Sequence, residues 1–245
     1  MIARRPLLAA SLAPLAAQAA DPVRILSGGA LEPAVHAALG LWTAAGGTPP
    51  NVAYATAPRI AERMAAGDQP DLVLAPVSTV AALNRSGKLV AAPVALGSVG
   101  VGIAVRDGAP VPRIADEAAL RAELQAADAV IFNRASTGLY MEGLLARLGL
   151  DVALAPKTIR FPDGDGVLRR LASGTGREIA FAAATEIALF RQRGVRLVGP
   201  LPEPLQNRTA YAAGLFPGDN PDAARLLAFL DSPEARAAMR DAGVE

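Results

Sequence analysis

Cysteine is absent from all 245 residues. That excludes disulfides, zinc–thiolate sites and thiol nucleophiles. Histidine occurs once, as His36 in PAVHAALGLW, a helix-like context that suits a surface or core residue better than a catalytic base. Lysine occurs twice, as Lys88 and Lys157, so arginine carries nearly all the positive charge, a bias of composition rather than of chemistry. Neither sign of charge is in excess: 24 basic residues face 23 acidic ones, for a net +1. A nucleic-acid protein needs a basic stripe, and none is visible. The nucleophile elbow Gly-x-Ser-x-Gly, the phosphate-binding loop and the six-residue dinucleotide fingerprint are missing too; SGGAL at 27–31 is none of them. What is present is a chain 52% hydrophobic and 19% charged. It is long enough for one large domain or two lobes with real cores.

The N-terminus MIARRPLLAASLAPLAAQAAD has a basic pair, Arg4 and Arg5, an apolar run over 7–17 and a small-x-small exit at Ala17-Gln18-Ala19. These are the three parts of a secretory leader, and the run is too short for a stable bilayer anchor. Residues 1–19 are therefore expected to be a signal peptide cleaved near Ala19. The adjacent arginines suggest the twin-arginine route, although the rest of that motif is missing. Removal takes two arginines and no acid, which leaves the mature chain close to neutral. The expected location is the periplasm.

From Val23 onward, short apolar runs alternate with amphipathic stretches. VRILS, NVAYAT and DLVLAP read as strands; 31–47, 57–67 and 77–87 read as helices, with Pro33 and Pro58 in first turns and Gly46-Gly47 as a stop. The strand at 71–75 is apolar without alternation, as a central parallel strand covered on both faces should be. Its Asp71 reads as a structural acceptor, and its end should bring Ala75, Pro76 and Ser78 to a rim. A strand over 99–108 opens a second set of units, with strands DAVIF, KTIRF, EIAFAA and VRLVG separated by helices. GPLPEPLQN at 199–207 interrupts with prolines, RTAYAAGLF forms a last strand, and two helices close the chain from Asn220-Pro221 and Ser232-Pro233. Such alternation gives an α/β fold with mostly parallel sheets. The expected organisation is a first lobe at 20–98, a second at 99–200 and a return to the first over 201–245. Hinge strands near 97–106 and 200–210 join two halves that close on a cleft.

Several segments in this order resemble one known family. PRIAERMAAGDQPDLVLAP, STGLYMEGLLARLGL, DGDGVLRRLASGTGREIAFAAATEI and LLAFLDSPEARAAMRDAGVE resemble the periplasmic solute-binding proteins of ABC transporters, specifically the molybdate-binding-protein-like group. The resemblance covers the leader and nearly all of the mature chain. It implies a two-lobed periplasmic-binding-protein-like fold of type II. It also implies capture of a small polar or anionic ligand, a molybdate-like oxyanion or a small carboxylate, for a membrane ABC permease. A monomer without cofactor, metal or nucleic acid, and without catalytic residues, is expected. Where the family carries hydroxyls, this chain has Ala30, Ala57 and Ala183. Each missing donor in a desolvated site costs about 1–3 kcal/mol, so molybdate should bind weakly.

The residues expected around the cleft are Ser27, Gly28, Gly29 and Ala30 after the first strand, and Thr56, Ala57 and Pro58 after the second. Arg134, Ser136 and Thr137 follow the fifth, with Asp165 and Thr185 beyond. Helix N-termini offer unpaired N–H groups and a partial positive charge to an anion. Arg134 has the planar fork that suits an oxyanion or carboxylate, whereas Arg59 is expected to face solvent. Asp163 and Asp165 in PDGDG are two acids without further ligands, a turn or cap rather than a metal site. Thr185-Glu186 lies in the right region with its direction undetermined. Two alternatives stay open: a secreted α/β hydrolase-type enzyme, or a ligand-sensing protein without a transport role.

Overall fold

The computed structural model describes residues 21–245; the expected leader lies outside them. In the first half, β1 (Arg24–Gly28) leads through a short 3-10 turn into α1 (Glu32–Ala44), followed by β2 (Asn51–Ala55), α2 (Ala57–Ala65), β3 (Leu72–Pro76) and α3 (Val77–Arg85). The long β4 (Val94–Arg106) then opens a second half of α4 (Glu117–Ala126), β5 (Ala129–Asn133), α5 (Ser136–Arg147) and α6 (Asp151–Leu154). It continues through β6 (Thr158–Phe161), α7 (Gly164–Ala172), β7 (Glu178–Ala183), α8 (Ala184–Leu189) and β8 (Val195–Pro200). The chain ends with β9 (Arg208–Leu215), α9 (Pro221–Leu230) and α10 (Pro233–Asp241).

Two lobes follow from the pairing. β1 lies between β2 and β3, parallel to both. β9 then inserts antiparallel between β3 and the first half of β4. At Val101, β4 changes partners and pairs antiparallel with β7 and β8, and β5 carries β7 and β6 parallel on either side. β4 is therefore a shared strand, and the β8–β9 connection is the second crossing. The strand expected at 99–108 in fact begins at Val94, and the sheets are less parallel than the alternation suggests.

Each lobe buries both faces of its sheet. Trp42, Leu226 and Met239 from α1, α9 and α10 cover one face of the first sheet, and Ile60, Met64 and Val80 from α2 and α3 cover the other. In the second lobe, Leu120, Met141 and Leu144 from α4 and α5 lie on one face, and Val167, Leu168 and Ile187 from α7 and α8 on the other. Burial on both sides explains why β3, β5 and β7 contain no exposed position. The step from α2 into β3 takes only a few residues because Gly67 adopts φ +89°, a left-handed stop that costs glycine little. Asp71 then accepts a hydrogen bond from the Arg24 N–H at 2.7 Å, the structural role expected of it. The final residues return to the hinge: Ser98 N–H donates to the Glu245 carbonyl at 2.6 Å, and Glu245 N–H donates back at 2.8 Å. Among the described residues, no helix is long and apolar enough to cross a membrane.

Candidate ligand-binding cleft

The carboxyl ends of strands from both lobes meet at a cleft of about 870 Å³, a size suited to a small ligand. From the first lobe, β1 delivers Gly28 and Gly29, β2 delivers Tyr54 and Thr56, and β3 delivers Pro76. From the second, β5 leads to Arg134 and Ser136, β6 to Asp163 and Gly164, and β7 to Ala183 and Glu186. Tyr211 from β9 lies at the junction.

Two helix starts at this cleft carry no side-chain cap from their own cap residues. α4, α9 and α10 begin with a side-chain cap from Asp116, Asn220 and Ser232. α2 begins after Thr56 and α5 after Ala135, and neither cap residue bonds its helix through a side chain. In α5 this leaves the N–H groups of Ser136 and Thr137, and in α2 that of Ala57, to an external partner, as an anion site requires. The α5 start is built with care. Buried Asn133 accepts through Oδ1 from the N–H groups of Ala135 (3.0 Å) and Gly138 (2.9 Å). A Cβ at Gly138 would lie 1.6 Å from the Asn133 carbonyl oxygen, so no larger residue fits. This turn holds Arg134, Ser136 and Thr137 at the cleft. Arg59 and Arg169, also in the lining, are paired with Glu62 and Asp165; Arg134 pairs with no acid among the described residues.

The cleft also holds a carboxyl group in an unfavourable setting for charge. A Cβ at Gly164 would lie 2.2 Å from Oε2 of Glu186, and one at Gly29 would lie 3.2 Å from Oε1. Two glycines, one per lobe, thus make room for this side chain and enclose it. Burial pushes its pKa from 4.5 up to about 7, with Asp163, Glu32 and Asp165 adding to the rise and the Ala183 backbone N–H working against it. Glu186 lines the cleft and is part-buried, with its carboxyl crowded by protein atoms on the side away from the cleft mouth. Burial, then Glu32, raises the Tyr54 hydroxyl to about 12. Burial, then Glu186, pushes the Tyr211 hydroxyl well above its ordinary value.

Of the residues expected around the cleft, Gly28, Gly29, Ala30, Thr56, Ala57, Pro58, Arg134, Ser136, Thr137 and Asp165 line it together. Ser27 and Thr185 are not in that lining. Ser27 is fully buried beneath it, and its hydroxyl donates to the Gly28 carbonyl at 3.2 Å. The Thr185 hydroxyl is taken by the Ala30 carbonyl at 2.6 Å, a bond that ties α8 of the second lobe to the turn before α1 of the first. Ala57, Ala30 and Ala183 all face the cleft, and of the end of β3 only Pro76 does. Asp163 caps α7 by accepting from Gly166 N–H at 2.8 Å. Arg59 lines the cleft mouth while its side chain stays 68% exposed. Among the described residues, no group of three or more acids or histidines is placed to hold a metal ion. Sequence reasoning missed Glu32, Tyr54 and Tyr211, and placed Glu186 in the right region without its direction. One signal existed: Glu186 is the third residue of a helix that follows a fully apolar strand, where a carboxylate reaches back to the first N–H groups.

Known proteins share this architecture. The periplasmic molybdate-binding protein of Azotobacter vinelandii superposes with a TM-score of 0.73 at 13% identity, over 91% of this chain and 98% of that one. The sulfate-binding protein SubI from Mycobacterium tuberculosis H37Rv superposes with a TM-score of 0.69 at 18% identity, over 91% and 85%. In sequence, an aconitate isomerase from Pseudomonas sp. is 29% identical over 98% of this chain and 93% of its own length. The family model described as "Bacterial extracellular solute-binding protein" matches residues 23–245. With two lobes, a shared strand and a cleft between strand ends of both lobes, this chain belongs to the bacterial extracellular solute-binding protein family.

Proposed function

We propose that the chain is exported, that its first 19 residues are removed, and that it captures a small organic anion bearing carboxylates for an ABC permease. The lobes are taken as 20–98 with 201–245, and 99–200. The observation that carries the reading is the start of α5, where Asn133 takes the Ala135 and Gly138 N–H groups and leaves those of Ser136 and Thr137 beside the unpaired guanidinium of Arg134. A carboxylate can accept from the free N–H groups of α5 and from the Arg134 fork at once. An elongated ligand can then extend to the second uncapped start, at Ala57. Ala30, Ala57 and Ala183 supply no hydroxyls to a compact tetrahedral oxyanion. The test is a thermal-shift panel of molybdate, sulfate, phosphate and mono-, di- and tricarboxylates. A ligand at a hundred times its Kd adds about 2.7 kcal/mol of stability. A large shift with a carboxylate and little with molybdate is expected; a shift with molybdate alone would overturn the choice of ligand.

A second reading is favoured by Glu186. The 29% identical relative is an aconitate isomerase, and an allylic isomerisation needs one group that takes a proton from carbon and returns it to carbon. No oxidant or co-reactant enters, and product and substrate share one formula. A carboxyl poised near neutrality in the cleft suits that task. Incubating cis- or trans-aconitate with the protein and separating the isomers by chromatography decides it: steady interconversion that Glu186→Gln abolishes supports an enzyme, and none leaves a binding protein.

A further inference from the structure

We infer that an anion captured in the cleft loads a proton onto Glu186, whose carboxylic acid then donates a hydrogen bond to the ligand. This rests on the reading of the cleft as the anion site of a carrier; the isomerase reading needs the same group ionised in the complex.

The argument starts from how the side chain is seated. Gly29 from the first lobe and Gly164 from the second pack against its two oxygens. No other residue would fit either position without moving the carboxyl, so the site is built around this group. The Ala183 N–H stabilises its charge in part, but every other charge acting on it is negative. Glu32 faces it from the start of α1, and Asp163 and Asp165 from the start of α7. Asp165 is neutralised by Arg169, whereas Asp163 spends its carboxylate on the α7 cap. Tyr211 from β9 faces it with a hydroxyl that stays protonated. β4, β8 and the C-terminal turn meet α8 and its flanks through Gly102, Leu197 and Gly243, none of them ionisable. None of the four arginines of the lining, Arg59, Arg134, Arg169 and Arg193, is among the charges acting on it.

A second anion placed in this cleft therefore meets either a like charge or a neutral acid. An ionised Glu186 can only repel the ligand; a protonated one turns the same oxygen into a donor. Closure of the lobes removes water and sharpens the difference. The group is half-titrated near pH 7 before binding, so capture takes up a proton at pH 8 and little at pH 6, and affinity falls as pH rises.

Sulfate and molybdate, fully ionised above pH 6, serve as probes together with trans-aconitate, whose own proton release is measured without protein and subtracted. Each is titrated calorimetrically into the protein and into Glu186→Gln at pH 6 and pH 8, in two buffers of different ionisation enthalpy. For whichever probe binds, wild-type affinity should be about tenfold weaker at pH 8 than at pH 6. Close to one proton should be taken up per ligand at pH 8, and the glutamine variant should show neither effect. The buffer comparison reads proton uptake in the wild type, so the outcome does not depend on how the variant folds. Binding without proton uptake, or a variant with the same pH slope, overturns the inference and leaves the anion site standing. Failure of all three probes at both pH values overturns the anion site, and the inference with it.

Discussion

Replacing Glu186 by glutamine should stabilise the ligand-free protein, and the gain should depend on pH. The ordinary carboxyl pKa of 4.5 is raised to about 7 in the folded state. Folded protein therefore binds more protons than unfolded protein between those values, and stability falls as pH rises through that window. Below pH 4.5 the side chain is neutral in both states and costs nothing. Above pH 7 it is ionised in both, and the folded state bears the whole cost. A rise of that size corresponds to about 3 kcal/mol at 1.36 kcal/mol per unit. That is a ceiling, because the cleft admits water to part of the side chain. Glutamine keeps an oxygen for the Ala183 N–H and removes the charge. At pH 8 the variant should melt up to about 6–12 °C above the wild type, and the two curves should converge at pH 4. Thermal denaturation followed by circular dichroism at the two pH values is sufficient. An equal gain at both, or none at pH 8, would refute the claim that Glu186 is buried as a reluctant anion.

Asn133→Ala should cost about 2–3 kcal/mol, since two buried N–H groups lose their acceptor, and urea unfolding would show it; an unchanged midpoint would mean the turn closes by other means. Gly138→Ala should abolish ligand binding, because its Cβ cannot coexist with a carbonyl oxygen 1.6 Å away and the α5 start must move; calorimetry on the folded variant checks this. Arg134→Gln should weaken binding of a carboxylate at least tenfold with little effect on urea stability, in line with a charge-assisted contact of about 1.5–3 kcal/mol. Thr185→Val leaves the Ala30 carbonyl without its donor and should lower stability by about 1–2 kcal/mol; no change in the urea midpoint would remove the role of this bond in joining the lobes.

Local signals in the chain were enough for the element types and much of the cleft. Strands such as 72–76 and 178–183 are fully buried, and short apolar runs bounded by Gly, Pro and Asp announce them. Helix starts follow strand ends, so Gly28, Thr56, Arg134 and Ser136 could be placed at one rim by their position alone. Other features were not legible. Nothing near 94–98 marks the early start of β4, because its partners there are β9 and the C-terminal residue, far along the chain. The Ser27 hydroxyl looked available and is sealed under the cleft floor. Thr185 looked like a donor to a ligand and is spent on a carbonyl 155 residues away.

What the sequence determined by itself is whatever depends on neighbours within a helical turn or a strand: the alternation of elements, their stops, and the hydroxyls absent at Ala30, Ala57 and Ala183. Tertiary structure alone decided what depends on residues brought together from both lobes. Glu186 shows the difference. In the chain it is one of 23 acidic residues, with nothing nearby to perturb it but its own helix start. In the fold, glycines from opposite lobes and acids from two other helices surround it. A proton affinity is set by the local dielectric and by charges within a few ångströms, and those distances exist only once the chain has folded.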